Sequence, residues 1–133
     1  MIISNLDQMR KFANEFSKQL KKGDVVNLIG DLGAGKTTLV KMIAQNFNID
    51  KVVSPTFSIV NIYDGDVKIY HLDLYRLDDE DEILDIDYET YIYPDDEITF
   101  IEWSDKAKSY MPLDMINLTI NKIDENKREI ILD

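Results

Sequence analysis

Apolar residues near the start of the chain recur at a helical spacing. The apolar pair Ile2–Ile3 is expected to form a short strand, and Ser4 or Asn5 after it is a typical N-cap. Six apolar residues form the predicted buried face of the helix: Leu6, Met9, Phe12, Ala13, Phe16 and Leu20. This segment is therefore predicted to be an amphipathic helix, which Gly23 is expected to end.

Two further apolar segments follow and differ in period. The run Val25–Ile29 has the length and character of a buried strand. From residue 38 to about residue 47, apolar residues stand at positions 39, 40, 43, 44 and 47, which is again a helical spacing. The chain between them is rich in glycine. Strand, glycine loop and helix in this order are typical of an α/β protein.

The second half of the chain is predicted to be mainly strands. Phe57–Tyr63 and Val67–Leu74 flank the turn Asp64-Gly65-Asp66 and predict an antiparallel hairpin. Ile98–Ile101 is a buried strand, and short helices are expected within 79–93 and 105–110. The segments 115–120 and 128–132 predict a closing hairpin. We therefore expect one α/β domain over residues 1–133, with a mixed sheet and the first hairpin inserted after the glycine-loop helix.

The glycine loop itself is a phosphate-binding motif. Residues 30–37 have the sequence G-D-L-G-A-G-K-T, which fits G-x-x-x-x-G-K-[ST], in the required context between a strand and a helix. Glycines let the backbone amides converge on an anion, and the following helix adds the partial positive charge of its N-terminus. Lys36 would reach the β- and γ-phosphates, and the Thr37 hydroxyl would bind Mg²⁺.

A carboxylate is needed opposite such a loop, and two acidic residues are suitably placed. Asp73 and Glu102 each follow an apolar strand. If the strands are neighbours, both side chains lie at the carboxyl edge of the sheet, where ligands bind in α/β folds. One could hold the metal while the other orients the attacking water. The alternative is that each is a cap or a surface charge.

Three other side chains are candidates with plainer alternatives. Thr56 in Ser-Pro-Thr-Phe is a candidate switch residue whose hydroxyl senses the γ-phosphate or completes the metal shell. The plainer alternative is a turn cap before a strand. His71 lies within a strand pattern, which favours a packing role over that of a catalytic base. Trp103 could stack on a base or a partner, or be a half-buried core residue.

Composition and charge exclude several classes of protein. The chain contains no cysteine, which excludes a disulfide framework and a thiolate metal site within it. No apolar run approaches the length of a membrane span and no signal peptide is recognisable, so a cytoplasmic location is expected. A net charge of −11 opposes direct binding to nucleic acid. The acidic segment 78–96 is interpreted as a solvated face, with a docking surface for a basic partner as the alternative.

A second motif near the end of the chain is typical of a different class of protein, the GTPases. Asn121-Lys122-Ile123-Asp124 fits the N-K-x-D motif with which GTPases bind guanine. No D-x-x-G motif accompanies it, and turn-forming residues dominate positions 121–127 between two predicted strands. We therefore interpret this segment as a hairpin loop.

Taken together, four segments resemble the TsaE (YjeE) family, the P-loop ATPase subunit of the bacterial machinery that makes threonylcarbamoyladenosine in tRNA. They are G-D-L-G-A-G-K-T-T at 30–38, S-P-T-F at 54–57, H-L-D-L-Y-R-L at 71–77 and I-E-W at 101–103. The resemblance implies a P-loop NTPase-like three-layer fold and slow, Mg²⁺-dependent ATP hydrolysis. It also implies action through the two partner proteins that transfer threonylcarbamoyl to adenosine 37 of tRNAs reading codons that begin with A, with tRNA contacted only indirectly.

The resemblance also implies roles for individual residues. Lys36 and the backbone amides of 33–38 would hold the phosphates, Thr37 and Glu102 would hold Mg²⁺, and Asp73, also a candidate metal ligand, and Thr56 would support hydrolysis. Adenine would lie near Asn5, with Arg128 as a further candidate. The expected nucleotide-binding residues are thus Asp31, Gly33, Ala34, Gly35, Lys36, Thr37, Thr38 and Asn5.

Two other functions fit a P-loop protein of this size. A small-molecule kinase needs a lid and several arginines to clamp phosphates, and this chain has arginine only at positions 10, 76 and 128. A binding module that responds to nucleotide without turnover is the other alternative. We favour an ATPase with weak activity alone that its partners stimulate.

Overall fold

Eight strands and three α-helices are present in the computed structural model, which describes residues 1–56 and 59–133, apart from the side chains of 54–56. The strands are β1 (Ile2–Ile3), β2 (Val25–Ile29), β3 (Lys51–Thr56), β4 (Val60–Asp64), β5 (Ile69–Asp73), β6 (Ile98–Glu102), β7 (Ile116–Lys122) and β8 (Arg128–Leu132). The helices are α1 (Leu6–Gln19), α2 (Lys36–Gln45) and α3 (Tyr88–Ile92), and two 3₁₀ segments span Glu80–Asp85 and Ser104–Tyr110.

One mixed sheet contains all of these strands. Their spatial order is β1-β8-β7-β2-β6-β5-β4-β3. The four central strands, from β7 to β5, are parallel to one another, whereas the pairs at both ends are antiparallel. The hairpin around residues 64–66 and the closing hairpin are therefore confirmed, and Asn121 and Lys122 belong to the strand that enters the closing hairpin.

The two faces of the sheet are covered differently, because alternate residues of each strand point to opposite sides. On one face α1 and α2 pack over a core that includes Phe16, Ile43 and Phe100. On the other, the 3₁₀ segments and α3 enclose a second core with Leu72 and Ile101. The predicted three-layer α/β architecture is thus confirmed. Among the described residues, no helix is long and apolar enough to cross a membrane.

Helix α1 differs from its sequence pattern at both ends. Asn5 is the N-cap, and its side-chain oxygen accepts a hydrogen bond from the Gln8 backbone N–H at 2.8 Å. Leu6 was expected on the buried face, but it is 67% exposed because it lies in the first turn, beside a surface cavity. The helix ends at Gln19, before the expected Gly23.

Candidate nucleotide-binding site

The glycine loop forms a tight turn between β2 and α2. Gly33 and Gly35 have φ angles of +84° and +110°, a backbone region that favours glycine, and Gly35 is the N-cap of α2. The Ala34 N–H donates to the Asp31 carbonyl at 3.0 Å. These conformations leave the loop backbone wrapped around the N-terminus of a helix that is ten residues long, which is the arrangement that binds anions.

Neighbouring strands hold this loop in place. A methyl group added at Gly30 would lie 2.6 Å from the Ile120 carbonyl oxygen of β7, so only glycine fits at the first position of the motif. On the other side, the Arg128 Nε of β8 donates to the Ala34 carbonyl at 2.8 Å. The loop is thus positioned by the closing hairpin as well as by its own helix.

Lys36 lies folded back into the loop. Its side chain is 4% exposed, and Nζ donates to the Gly30 carbonyl at 2.6 Å. The ammonium lies 3.9 Å from the centre of the Trp103 ring and 4.0 Å from Glu102 Oε1. Burial lowers the pKa of Lys36, and the charges of Glu102 and Asp73 oppose that shift.

Glu102 faces Lys36 and Thr37 from the end of β6. The Thr37 hydroxyl donates to Glu102 Oε2 at 3.0 Å, and Glu102 is only 3% exposed. Burial alone would raise the pKa of this carboxyl, but hydrogen bonds from His71 and Thr37 and the Lys36 charge outweigh it and lower the pKa below its ordinary value. A hydroxyl and an ionised carboxylate in contact are the oxygen ligands that Mg²⁺ prefers beside phosphates.

Asp73 lies beside Glu102, as expected from the strand ends. The two residues are register partners in the parallel pair β5–β6. Asp73 Oδ1 accepts a hydrogen bond from the Tyr75 backbone N–H at 3.1 Å, so this carboxylate also caps the turn after β5. Of the two acidic residues, Glu102 is the one in contact with Thr37.

His71 and Tyr63 belong to the same cluster, a role that was not predicted for either residue. His71 Nε2 lies 2.5 Å from Glu102 Oε2, and Nδ1 lies 3.1 Å from the Tyr63 hydroxyl. His71 was interpreted as a packing residue, and it is indeed buried at 3% exposure, but its polar atoms are both used. The available signal was the two-residue spacing from Asp73, which places both side chains on one face of β5.

Two cavities flank the loop. One of about 380 Å³ is lined by Asn5, Leu6, Met9, Gly33, Gly35, Thr38, Glu125, Asn126 and Arg128, among others. The other, of about 580 Å³, is lined by Asn27, Asp31, Lys36, Trp103, Lys108, Met111 and Met115, among others. The expected nucleotide-binding residues are therefore divided: Asp31 lines the larger cavity with Lys36, whereas Asn5 and Thr38 line the smaller one.

Two of the remaining candidates lie at the same edge of the sheet. Thr56 is the last residue of β3, and its side chain lies outside the part of the chain that is described. Trp103 follows Glu102 directly and adopts a left-handed backbone with φ of 59°, which is uncommon for a bulky residue. Its ring packs against Tyr75 with centroids 4.9 Å apart and forms a wall next to Lys36.

Comparisons with known proteins show the family to which the chain belongs. The family model of the threonylcarbamoyl adenosine biosynthesis protein TsaE matches residues 3–130. TsaE proteins of Bacillus subtilis and Aquifex aeolicus are 36% and 39% identical to this chain, over 95% and 98% of it and 79% and 92% of their own lengths. The crystal structure of Bacillus subtilis YdiB superposes with a TM-score of 0.81 at 28% identity, covering 99% of this chain and 82% of that one. The chain therefore belongs to the TsaE family.

Proposed function

We propose that this protein binds and hydrolyses ATP with Mg²⁺ and thereby supports the synthesis of threonylcarbamoyladenosine in tRNA. The observation that carries the proposal is the cluster of Lys36, Thr37 and Glu102 at the mouth of the glycine loop. The Thr37 hydroxyl contacts the Glu102 carboxylate at 3.0 Å, and the Lys36 ammonium lies 4.0 Å from the same carboxylate. Membership of the TsaE family supports the link to tRNA modification.

The triphosphate would be held by the backbone of the loop. The amides of residues 33–38 and the N-terminus of α2 supply donors and positive potential. Lys36 now donates to the Gly30 carbonyl, and a phosphate oxygen would replace that acceptor. A phosphate would also raise the pKa of Lys36 towards its ordinary value, since a further negative charge favours the charged form that burial disfavours.

Mg²⁺ would be held by the Thr37 hydroxyl and the Glu102 carboxylate together with phosphate oxygens. The ion would neutralise charge on the phosphates as the terminal bond breaks. Asp73 pairs with Glu102 in the sheet, and it would act as a second metal ligand or accept a hydrogen bond from the attacking water. Thr56, at the same edge of the sheet, is the proposed residue that responds to the γ-phosphate.

The adenine would occupy the cavity of about 380 Å³ beside Gly33 and Thr38. Asn5 and Arg128 line this cavity from the first helix and the last strand. The Arg128 guanidinium is already fixed by the Ala34 and Asp124 carbonyls, at 2.8 Å each. It would therefore serve as a rigid wall of the base site.

The proposed role in tRNA modification is indirect. A chain of net charge −11 is repelled by the phosphates of tRNA. We propose that it acts through two partner proteins that transfer threonylcarbamoyl to adenosine 37 of tRNAs reading codons that begin with A. ATP turnover would reset that complex, and the partners would stimulate it.

The test is ATP hydrolysis by the wild type and by Lys36→Ala, each alone and with the candidate partner proteins and tRNA. We expect low phosphate release from the wild type alone, stimulation by the complex, and loss of both in the variant. Lys41→Ala is the matched control, since Lys41 is an exposed residue of the same helix. Equal turnover by Lys36→Ala would refute the assigned site.

The same assay separates the alternatives. Transfer of the phosphoryl group to a small acceptor, without release of inorganic phosphate, would identify a kinase. Tight ATP binding with no turnover in the presence of partners and tRNA would identify a nucleotide-dependent binding module.

A further inference from the structure

A buried chain of hydrogen bonds runs from β4 through β5 to the carboxylate at the end of β6. It joins the Tyr63 hydroxyl to His71 Nδ1 at 3.1 Å and His71 Nε2 to Glu102 Oε2 at 2.5 Å. Tyr63 and His71 are 5% and 3% exposed. We propose that His71 is a positioning residue that holds Glu102 toward Thr37, with Tyr63 fixing the His71 ring; this inference rests on the proposed Mg²⁺-dependent function.

The geometry at Glu102 explains why such a residue is needed. Oε2 is shared between two donors, the Thr37 hydroxyl of α2 and the His71 ring of β5, while Oε1 faces Lys36 at 4.0 Å. A glutamate side chain has several rotatable bonds and is otherwise free to choose among rotamers. The bond from His71 ties it to the rigid centre of the sheet. In metal sites, partners of this kind orient the ligands that touch the metal.

The register of the sheet makes the contact possible. His71 pairs with Phe100 across β5–β6, and Glu102 lies two residues beyond Phe100 on the same face. His71 is thus diagonal to Glu102, within reach of a long side chain. Tyr63 is on β4, the next strand of the sheet, and its ring lies edge-on to His71 at 6.0 Å.

The positions of the hydrogens in the Tyr63–His71–Glu102 hydrogen-bond chain follow from Glu102, the acceptor at its end. An ionised carboxylate oxygen only accepts, so the bond to Glu102 requires the hydrogen on His71 Nε2. In a neutral ring, Nδ1 then accepts from the Tyr63 hydroxyl. A residue that only fills space would not require this tautomer. Long-range ¹⁵N–¹H correlation spectra of the metal-free protein report the tautomer of His71 directly. A hydrogen on Nδ1 alone would overturn the proposal.

Three variants separate positioning from packing. His71→Leu fills the space without a donor, His71→Gln keeps a terminal N–H donor near the place of Nε2, and Tyr63→Phe removes only the outer hydroxyl. Tyr70→Phe is the matched control, because Tyr70 is a buried tyrosine of β5 on the opposite face, packed against Tyr91. Each variant is measured for thermal stability, for affinity of a fluorescent ATP analogue in EDTA, and for the Mg²⁺ dependence of that affinity and of hydrolysis.

For His71→Leu we expect the Mg²⁺ concentration at half-saturation to rise, or kcat to fall, by roughly 10- to 100-fold. Nucleotide affinity in EDTA should stay within about twofold of the wild type, since the loop amides and Lys36 are untouched. His71→Gln should recover most of the loss, Tyr63→Phe should show a smaller defect of the same kind, and Tyr70→Phe should match the wild type.

Several results would overturn the inference and leave the proposed function intact. They are an unchanged Mg²⁺ dependence in folded His71→Leu, equal defects in the Leu and Gln variants, and a defect that follows only the melting temperature. If His71→Leu does not fold, Tyr63→Phe decides, and an unchanged Mg²⁺ dependence in that variant would overturn the inference. A wild type with no Mg²⁺-dependent nucleotide binding would instead refute the proposed function, and the inference with it.

Discussion

Gly30→Ala tests whether close contact with β7 fixes the position of the glycine loop. The added methyl would lie 2.6 Å from the Ile120 carbonyl oxygen, about 0.8 Å closer than the 3.4 Å at which ordinary contact begins. Ile120 cannot retreat easily, because it is fully buried and pairs with Ile130 in the closing hairpin. The loop itself must therefore move. Overpacking of this kind lowers the free energy of unfolding by about 1–3 kcal/mol.

The measurement is urea unfolding of the wild type and Gly30→Ala, together with titration of an ATP analogue. We expect a loss of about 1–3 kcal/mol in the free energy of unfolding and at least a roughly tenfold loss in nucleotide affinity, because the displaced amides no longer converge. Leu32→Ala is the control, since Leu32 is 73% exposed at the tip of the same loop. A Gly30→Ala protein within about 0.5 kcal/mol of the wild type would refute the reasoning.

Three further predictions concern stability. Asn5→Ala should lower the free energy of unfolding in urea by about 0.5–2 kcal/mol, because the Gln8 N–H loses its hydrogen-bond acceptor. An unchanged free energy would contradict this and mean that water replaces the bond. Phe100→Ala, at a fully buried position, should cost about 3–5 kcal/mol, whereas Leu113→Ala at an exposed position should be neutral. The lowered pKa of Glu102 makes its ionisation stabilising above the ordinary value of 4.5, and this contribution is lost as pH falls below it. In acid unfolding series, wild-type stability should thus fall relative to Glu102→Gln below pH 4.5, and parallel curves would contradict the shift.

The parts of the fold that local patterns determine were predictable from the sequence. The strand before the glycine loop and the helix after it have distinct apolar periods, and the Asp64-Gly65-Asp66 turn fixes the hairpin between β4 and β5. Asp73 and Glu102 were both expected at the carboxyl edge because each ends an apolar strand, and the sheet does pair them. These inferences need no knowledge of which distant segments meet.

Two of the features that were not predicted depend on contacts between distant segments. His71 contacts Glu102 because β5 lies beside β6 in parallel register, and period-two alternation gives the face of a residue but not its partner across the sheet. Arg128 reaches the Ala34 carbonyl only because β8 returns beside β7. Leu6 has the helical spacing of a core residue, yet it lies too close to the helix start to be covered.

The bond between Arg128 and the Ala34 carbonyl joins residues 94 positions apart. During synthesis the glycine segment therefore leaves the ribosome long before the strand that steadies it. The proposed base site is lined by Arg128, so it is complete only when β8 has paired with β7. Removal of β8 together with Arg128 is accordingly expected to weaken the proposed nucleotide binding at a loop remote in sequence from the cut.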